Sequence, residues 1–227
     1  MLGRGPKLPV LAEISGPGPS RAWSLRRADL RALAGLRESL HGRRTVLVAG
    51  EEGLAGAIAV AGANSAGGRR TALVECDLVR PRLAADLGLA AAPGLHEYLR
   101  WEATAQQILQ PLALAGPASR GASDPLVCIV AGRRAADPAT LISLASFRHA
   151  LAKLRSAYDF VVLAGPALDS SYGSLEALAG YADTVLAAVP PASMAGRARR
   201  ELRTALRRLP GSVTGTIVVG PEPGQRS

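Results

Sequence analysis

A chain of 227 residues that is 48% hydrophobic and 20% charged carries enough apolar material for one full core and too little charge for a disordered chain. No apolar run reaches the roughly 18 to 20 residues of a spanning helix, and Met1-Leu-Gly-Arg-Gly-Pro-Lys7 lacks the apolar centre of a secretory signal, so a cytoplasmic protein is expected. The net charge of +9 is carried almost wholly by arginine, with Lys7 and Lys153 the only lysines, yet no aromatic residue interleaves with the arginine clusters; stacking recognition of single strands is set aside, and nucleic acid is not the expected partner.

Along the chain, residues 1–20 are rich in Gly and Pro and read as a flexible N-terminal segment, apart from the apolar piece Leu8-Pro-Val-Leu-Ala-Glu-Ile14. Residues 21–40 show helical periodicity, with Leu25, Leu33, Leu36 and Leu40 on one face. Short continuous apolar runs follow at 45–49, 71–75, 126–130, 160–164, 184–189 and 214–219. Continuous rather than alternating runs are what a parallel sheet covered on both faces requires. Between them lie helices, clearest over 138–157 and 195–209; Asp137 is placed to cap the first, with Pro138 at its first helical position. The reading is an α/β, doubly wound, mostly parallel sheet flanked by helices, spanning 21–220, with 221–227 as a disordered tail. Cys76 and Cys128 each sit in an apolar run, the setting of buried free thiols, and His41, His96 and His149 show no zinc spacing.

In such a sheet ligands bind at the carboxyl ends of the strands. The first run ends in Ala49-Gly-Glu-Glu-Gly-Leu-Ala-Gly56. A phosphate-binding loop needs glycines here so that N–H groups wrap the phosphates. It then needs a Lys to neutralise charge and a Ser or Thr to hold Mg²⁺. Gly50 and Gly53 are present, but the Lys and hydroxyl positions read Leu54 and Ala55, and Glu51 and Glu52 place negative charge beside the loop. Leu54 and Ala55 are expected to fill the site by apolar packing.

Beyond the loop, Lys7-Leu-Pro-Val-Leu-Ala-Glu-Ile14, the 21–40 helix and Glu75-Cys-Asp-Leu-Val-Arg-Pro-Arg-Leu83 resemble the bacterial tyrosine kinase family, the cytoplasmic domains of polysaccharide co-polymerases and cousins of the ParA/MinD ATPases. Gly94-Leu-His-Glu-Tyr-Leu99, Ala131-Gly-Arg-Arg-Ala-Ala-Asp-Pro138 and Tyr158-Asp-Phe-Val-Val-Leu163 continue the resemblance in the family's order, over about 8–219. The resemblance implies a P-loop NTPase fold, and the departures from it fall on the chemistry. The two aspartates of the family's second-strand motif read Glu75 and Asp77. The fourth strand ends Ala164-Gly-Pro-Ala167 where relatives have Asp-Thr-Pro-Pro. No tyrosine follows Tyr181, so the tyrosine-rich tail is missing. The Glu-x-x-Arg-x-x-Arg pattern of the family's ring reads Arg31, Ala34 and Arg37, with one position of three matched.

The implied protein is a pseudokinase: a scaffold or regulator of bacterial exopolysaccharide or capsule biosynthesis and export, docked on a membrane polysaccharide co-polymerase and so peripheral on the inner face of the cell membrane. Gly50, Gly53, Leu54, Ala55 and Asp77 mark its degenerate nucleotide site, with no catalytic residue, no metal ligand and no cofactor assigned. In fused relatives a stretch like 8–14 links the membrane helix to the kinase; here it implies the detached half of a split system, or a piece of a longer protein. Two alternatives accompany this reading. One is a nucleotide-binding kinase or ATPase with residual activity, using ATP and Mg²⁺ and helped by Arg43, Arg44, Arg80 or Arg82. The other is a ParA/MinD-like positioning protein that holds DNA or anionic membrane through the arginines of 195–209. Homo-oligomerisation is open in each.

Overall fold

The computed structural model describes residues 8–16, 27–113, 126–169 and 172–221. Six strands correspond to the six apolar runs: β2 (Thr45–Ala49), β3 (Thr71–Glu75), β5 (Leu126–Ile129), β6 (Phe160–Ala164), β7 (Thr184–Val189) and β8 (Val213–Gly220). Every residue of β2, β3, β6 and β7 is buried, as strands covered on both faces must be. Two further strands extend the edges. β1 (Val10–Ser15), within the segment read as flexible, pairs parallel with β8, and β4 (Gln110–Leu112) pairs antiparallel with β5. The sheet order is β1-β8-β7-β2-β6-β3-β5-β4, parallel throughout except for β4.

Helices cover both faces. On one, α1 (Arg27–Ser39) and α2 (Gly53–Ala66) close a core with Leu33, Leu36, Val48, Ile58 and Val162. Residues 21–26 of the predicted first helix lie outside the described residues. α2 is buried on nearly every side, which its run of Ala, Gly, Ile and Val allows. Gly56 shows how closely it approaches the sheet: a Cβ there would lie 2.5 Å from the Cβ of Ala188 in β7. Three short helices follow: α3 (Leu83–Leu87), α4 (Leu95–Leu99) and α5 (Ala105–Ile108).

On the other face lie α6 (Pro138–Ser143), α7 (Ala145–Ala157), α8 (Tyr172–Tyr181) and α9 (Gly196–Arg208). The helix expected over 138–157 is two helices, because Leu144 is extended, with φ −61° and ψ 149°. Asp137 caps α6, accepting the Thr140 N–H at 3.1 Å, with Pro138 in the first turn. Leu202, Leu206 and Leu209 seat α9 on the sheet; burying one such leucine is worth about 1.5–3 kcal/mol. Cys128 in β5 and Cys76, one residue past β3, are buried free thiols. Among the described residues no helix is long and apolar enough to cross a membrane.

The strand order places the site. β2 leads through α2 to β3 on one side, and β6 leads through α8 to β7 on the other. The chain therefore reverses direction around β2, and its carboxyl end opens the crevice where ligands of such sheets bind.

A candidate functional site: a carboxylate-lined cleft at the strand ends

A cleft of about 280 Å³ lies at the carboxyl ends of β2, β3 and β6. Gly50, Gly53 and Leu54 line it from the turn after β2, Asp77, Arg80 and Arg82 from the turn after β3. The structure thus brings four of the five predicted site residues together. The fifth, Ala55, is buried in α2 and belongs to the core. Leu54 is half-buried, packs against the same core and forms part of the cleft wall.

The turn itself is short. β2 ends at Ala49 and α2 begins at Gly53, so Gly50, Glu51 and Glu52 make the whole connection. A phosphate-binding loop has four residues between its glycines, whereas Gly50 is separated from Gly53 by two and from Gly56 by five. Three of the N–H groups around this turn are engaged within the protein. Gly50 donates to Pro166 O (3.3 Å), Glu52 to Ala188 O (3.0 Å) and Gly53 to Gly50 O (2.9 Å). Gly50 is required here for sterics: its φ is +128°, and a Cβ would lie 2.3 Å from the carbonyl oxygen of Ala188. The glycine that the sequence offers as a phosphate ligand is explained by the close approach of β7.

Glu75, at the end of β3, is 2% exposed and has a structural task. Its Oε1 accepts the N–H groups of Arg82 (2.6 Å) and Leu83 (2.8 Å), and its Oε2 accepts that of Ala131 (2.9 Å). One carboxylate thereby ties β3, the start of α3 and the end of β5. Burial pushes its pKa up against these three donors, and the charge of Asp77 adds to the rise. Asp77 closes its own turn, with Oδ1 accepting from Val79 (3.2 Å) and Arg80 (3.0 Å).

Charge in the cleft is unfavourable for a phosphate. Glu51, Glu75, Asp77 and Asp169 face two guanidiniums, and Arg80 lies 3.7 Å from Asp77 while Arg82 lies 3.3 Å from Asp86. Beside the cleft, burial raises the pKa of Glu52, Arg82 opposes the rise and Glu51 reinforces it. Among the described residues no group of three or more His, Cys, Asp or Glu is placed to hold a metal ion. Arg43 and Arg44, considered as phosphate partners, lie at the opposite, amino end of β2. There Arg43 donates to Asp183 O (3.2 Å), and the Arg44 N–H donates to the Asp183 carboxylate (2.7 Å). Gly165, within the 164–167 segment that the sequence singles out, lines the cleft, and so does Asp169, which the sequence did not mark as a site residue; each follows β6, and the strand order brings them beside β2 and β3. Ser170, Ser171 and residues 222–227 lie outside the described residues.

No protein-family model matches the chain, and no curated protein matches it in sequence. Solved structures do match in fold. The kinase domain of the Escherichia coli tyrosine kinase ETK superposes with a TM-score of 0.77 at 15% identity, over 97% of this chain and 93% of that one. The kinase domain of VpsO gives 0.70 at 21% identity, over 85% and 94%. The cell division ATPase MinD of Pyrococcus furiosus gives 0.56 at 17%, over 77% and 71%. The chain has the fold of the bacterial tyrosine kinase domains, and it shares the P-loop NTPase architecture with MinD.

Proposed function

From this fold and its altered site, we propose that the protein is a catalytically inactive counterpart of the bacterial tyrosine kinases, acting as a scaffold or regulator in exopolysaccharide or capsule biosynthesis and export and docking on a membrane polysaccharide co-polymerase. The observation that carries the reading is the three-residue turn between β2 and α2, in which the Gly50 and Glu52 N–H groups donate to the carbonyls of Pro166 and Ala188. Phosphoryl transfer depends on positioning and charge neutralisation. Losing one preorganised electrostatic group costs about 10²- to 10³-fold in rate, although such losses do not simply multiply. Here Leu54, Ala55 and Ala164 stand where the resemblance has the Lys, the Mg²⁺-binding hydroxyl and the carboxylate at the end of β6. Glu75, where the resemblance has the first of two aspartates, is committed to three backbone donors.

The test has two arms. Tagged protein recovered from detergent-solubilised membranes of its own source is expected to carry a polysaccharide co-polymerase with it; recovery without one contradicts the docking. A strain lacking the protein is expected to regain polysaccharide output with the wild type and equally with Asp77→Asn, since Asn keeps the Oδ1 acceptor of the turn and removes the carboxylate. Failure of Asp77→Asn alone, with its fold intact, contradicts an inactive scaffold.

A further inference from the structure

We infer that the solvent face of α9 binds the anionic headgroups of a phospholipid bilayer. This goes beyond the docking proposed above by naming a second, protein-independent attachment, and its test contains neither nucleotide nor partner protein.

Thirteen residues of α9 hold six arginines against the single Glu201, a net of +5 out of the chain's +9. Leu202, Leu206 and Leu209 occupy the opposite side and are buried in the core, so the helix cannot turn its arginines elsewhere without unpacking. Arg197 is paired with Glu201 at 2.6 Å. Arg199, Arg200, Arg207 and Arg208 are exposed and have no carboxylate partner among the described residues. Arg197, Arg200 and Arg208 line one shallow groove with Thr204. From 197 to 208 the row runs about 16 Å along the helix axis.

Elsewhere among the described residues many of the arginines are paired. Arg70 pairs with Asp159, Arg82 with Asp86, Arg100 with Glu102, Arg133 with Glu97 and Glu102, and Arg155 with Asp183. Arg31, Arg37, Arg134 and Arg148 also lack a carboxylate partner among the described residues but are spread over other elements, whereas four such charges lie within the thirteen residues of α9, a helix pinned flat on the sheet that presents guanidiniums along one surface. The residues between them, Ala198, Thr204 and Ala205, are small and include no aromatic to stack a base and no amide to read one. What this face can recognise is anionic charge spread over an extended surface. Because the apolar stripe of α9 is already buried, attachment is electrostatic, without insertion of the helix. Each arginine near an anionic leaflet strengthens binding about fivefold, and salt screens the attraction within a Debye length.

The experiment is sedimentation of the full chain with vesicles of phosphatidylcholine alone and of phosphatidylcholine with one third phosphatidylglycerol, at low and at physiological salt. Binding is expected only to the anionic vesicles, weakening steeply with salt and unaffected by millimolar inorganic phosphate. The quadruple variant Arg199→Ala, Arg200→Ala, Arg207→Ala, Arg208→Ala is expected to fold as the wild type, because these side chains are exposed and unpaired, and to bind several hundred-fold more weakly. The double variant Arg148→Ala, Lys153→Ala on α7 is the control and is expected to lose less than about threefold. Absence of binding to anionic vesicles at low salt overturns the inference. So does an equal loss per charge in the α7 control, which would make net charge the cause. Retention on duplex DNA without vesicle binding would assign the face to nucleic acid instead.

Discussion

Replacing Glu75 by alanine leaves the N–H groups of Arg82, Leu83 and Ala131 without their acceptor. Leu83 and Ala131 are fully buried, so water cannot take the place of the carboxylate. An orphaned buried donor costs about 1–3 kcal/mol, which gives about 2–6 kcal/mol for these two. Arg82 is exposed and adds little. Part of the loss is returned, because the variant no longer buries a carboxyl whose pKa burial has already raised. The net expectation is about 2–5 kcal/mol, or a fall in Tm of about 4–20 °C for a domain of this size. Glu75→Gln keeps Oε1 for Arg82 and Leu83 but turns an amide NH₂ toward the N–H of Ala131. It should cost about 1–3 kcal/mol and fall between alanine and wild type. Urea denaturation and thermal melting followed by far-ultraviolet circular dichroism measure both variants. An alanine variant melting within 2 °C of wild type, as an order of magnitude, would refute the assignment of this carboxylate to structure and return it to the pool of candidate catalytic groups.

Gly50→Ala places a Cβ 2.3 Å from the carbonyl of Ala188 at φ +128° and is expected to destabilise by at least about 2 kcal/mol, read as a lower urea midpoint at unchanged slope. Glu97 gives a pH signature. Burial pushes its pKa up, but the N–H groups of Gly94 and Arg133 and the Arg133 guanidinium outweigh burial and hold it below the ordinary range. A depressed folded-state pKa contributes stability above the unfolded value of about 4.3 that is lost as pH falls through the folded one. Wild type should therefore exceed Glu97→Gln in Tm at pH 7, with the gap closing as pH falls below the ordinary carboxylate range; a gap independent of pH contradicts this. Burial pushes the Cys128 thiol up to about 12 and raises Cys76 further, with Glu75 and Asp77 adding to the second. At pH 8 the native protein should leave a thiol reagent unreacted, and both cysteines should react once it is unfolded.

The fold was legible because six apolar runs without alternation can satisfy only a parallel sheet covered on both faces, and all six are strands. The edges were harder to read. β4 spans three residues with Pro111 in the middle, and its antiparallel pairing with β5 leaves no periodicity in so short a run. β1 lies in Gly- and Pro-rich surroundings, and its parallel pairing with β8 joins opposite ends of the chain. α8 leaves little signal in the sequence, because Leu175, Leu178 and Ala179 are buried between small residues and give it little amphipathic contrast. The break at Leu144 leaves no Pro or Gly in the sequence to mark it.

At the site, Leu54 and Ala55 in place of a Lys and a hydroxyl can be read residue by residue, and so can the clustering of Gly50, Gly53, Leu54 and Asp77 at strand ends. The shortness of the turn was not apparent, because it depends on where α2 begins. Nor was the task of Glu75, since Ala131 lies 56 residues away and only the pairing of β3 with β5 brings the two together.

The central claim is that this P-loop architecture no longer accepts a nucleotide. The most direct measurement is calorimetric titration of the full chain with Mg-ATP and Mg-ADP, paired with thermal melting at millimolar nucleotide. Ligand at 100 times its Kd would add about 2.7 kcal/mol, or roughly 5–10 °C in Tm. The account predicts no heat of binding and no shift in Tm; a saturable heat with a shift of that size would contradict it.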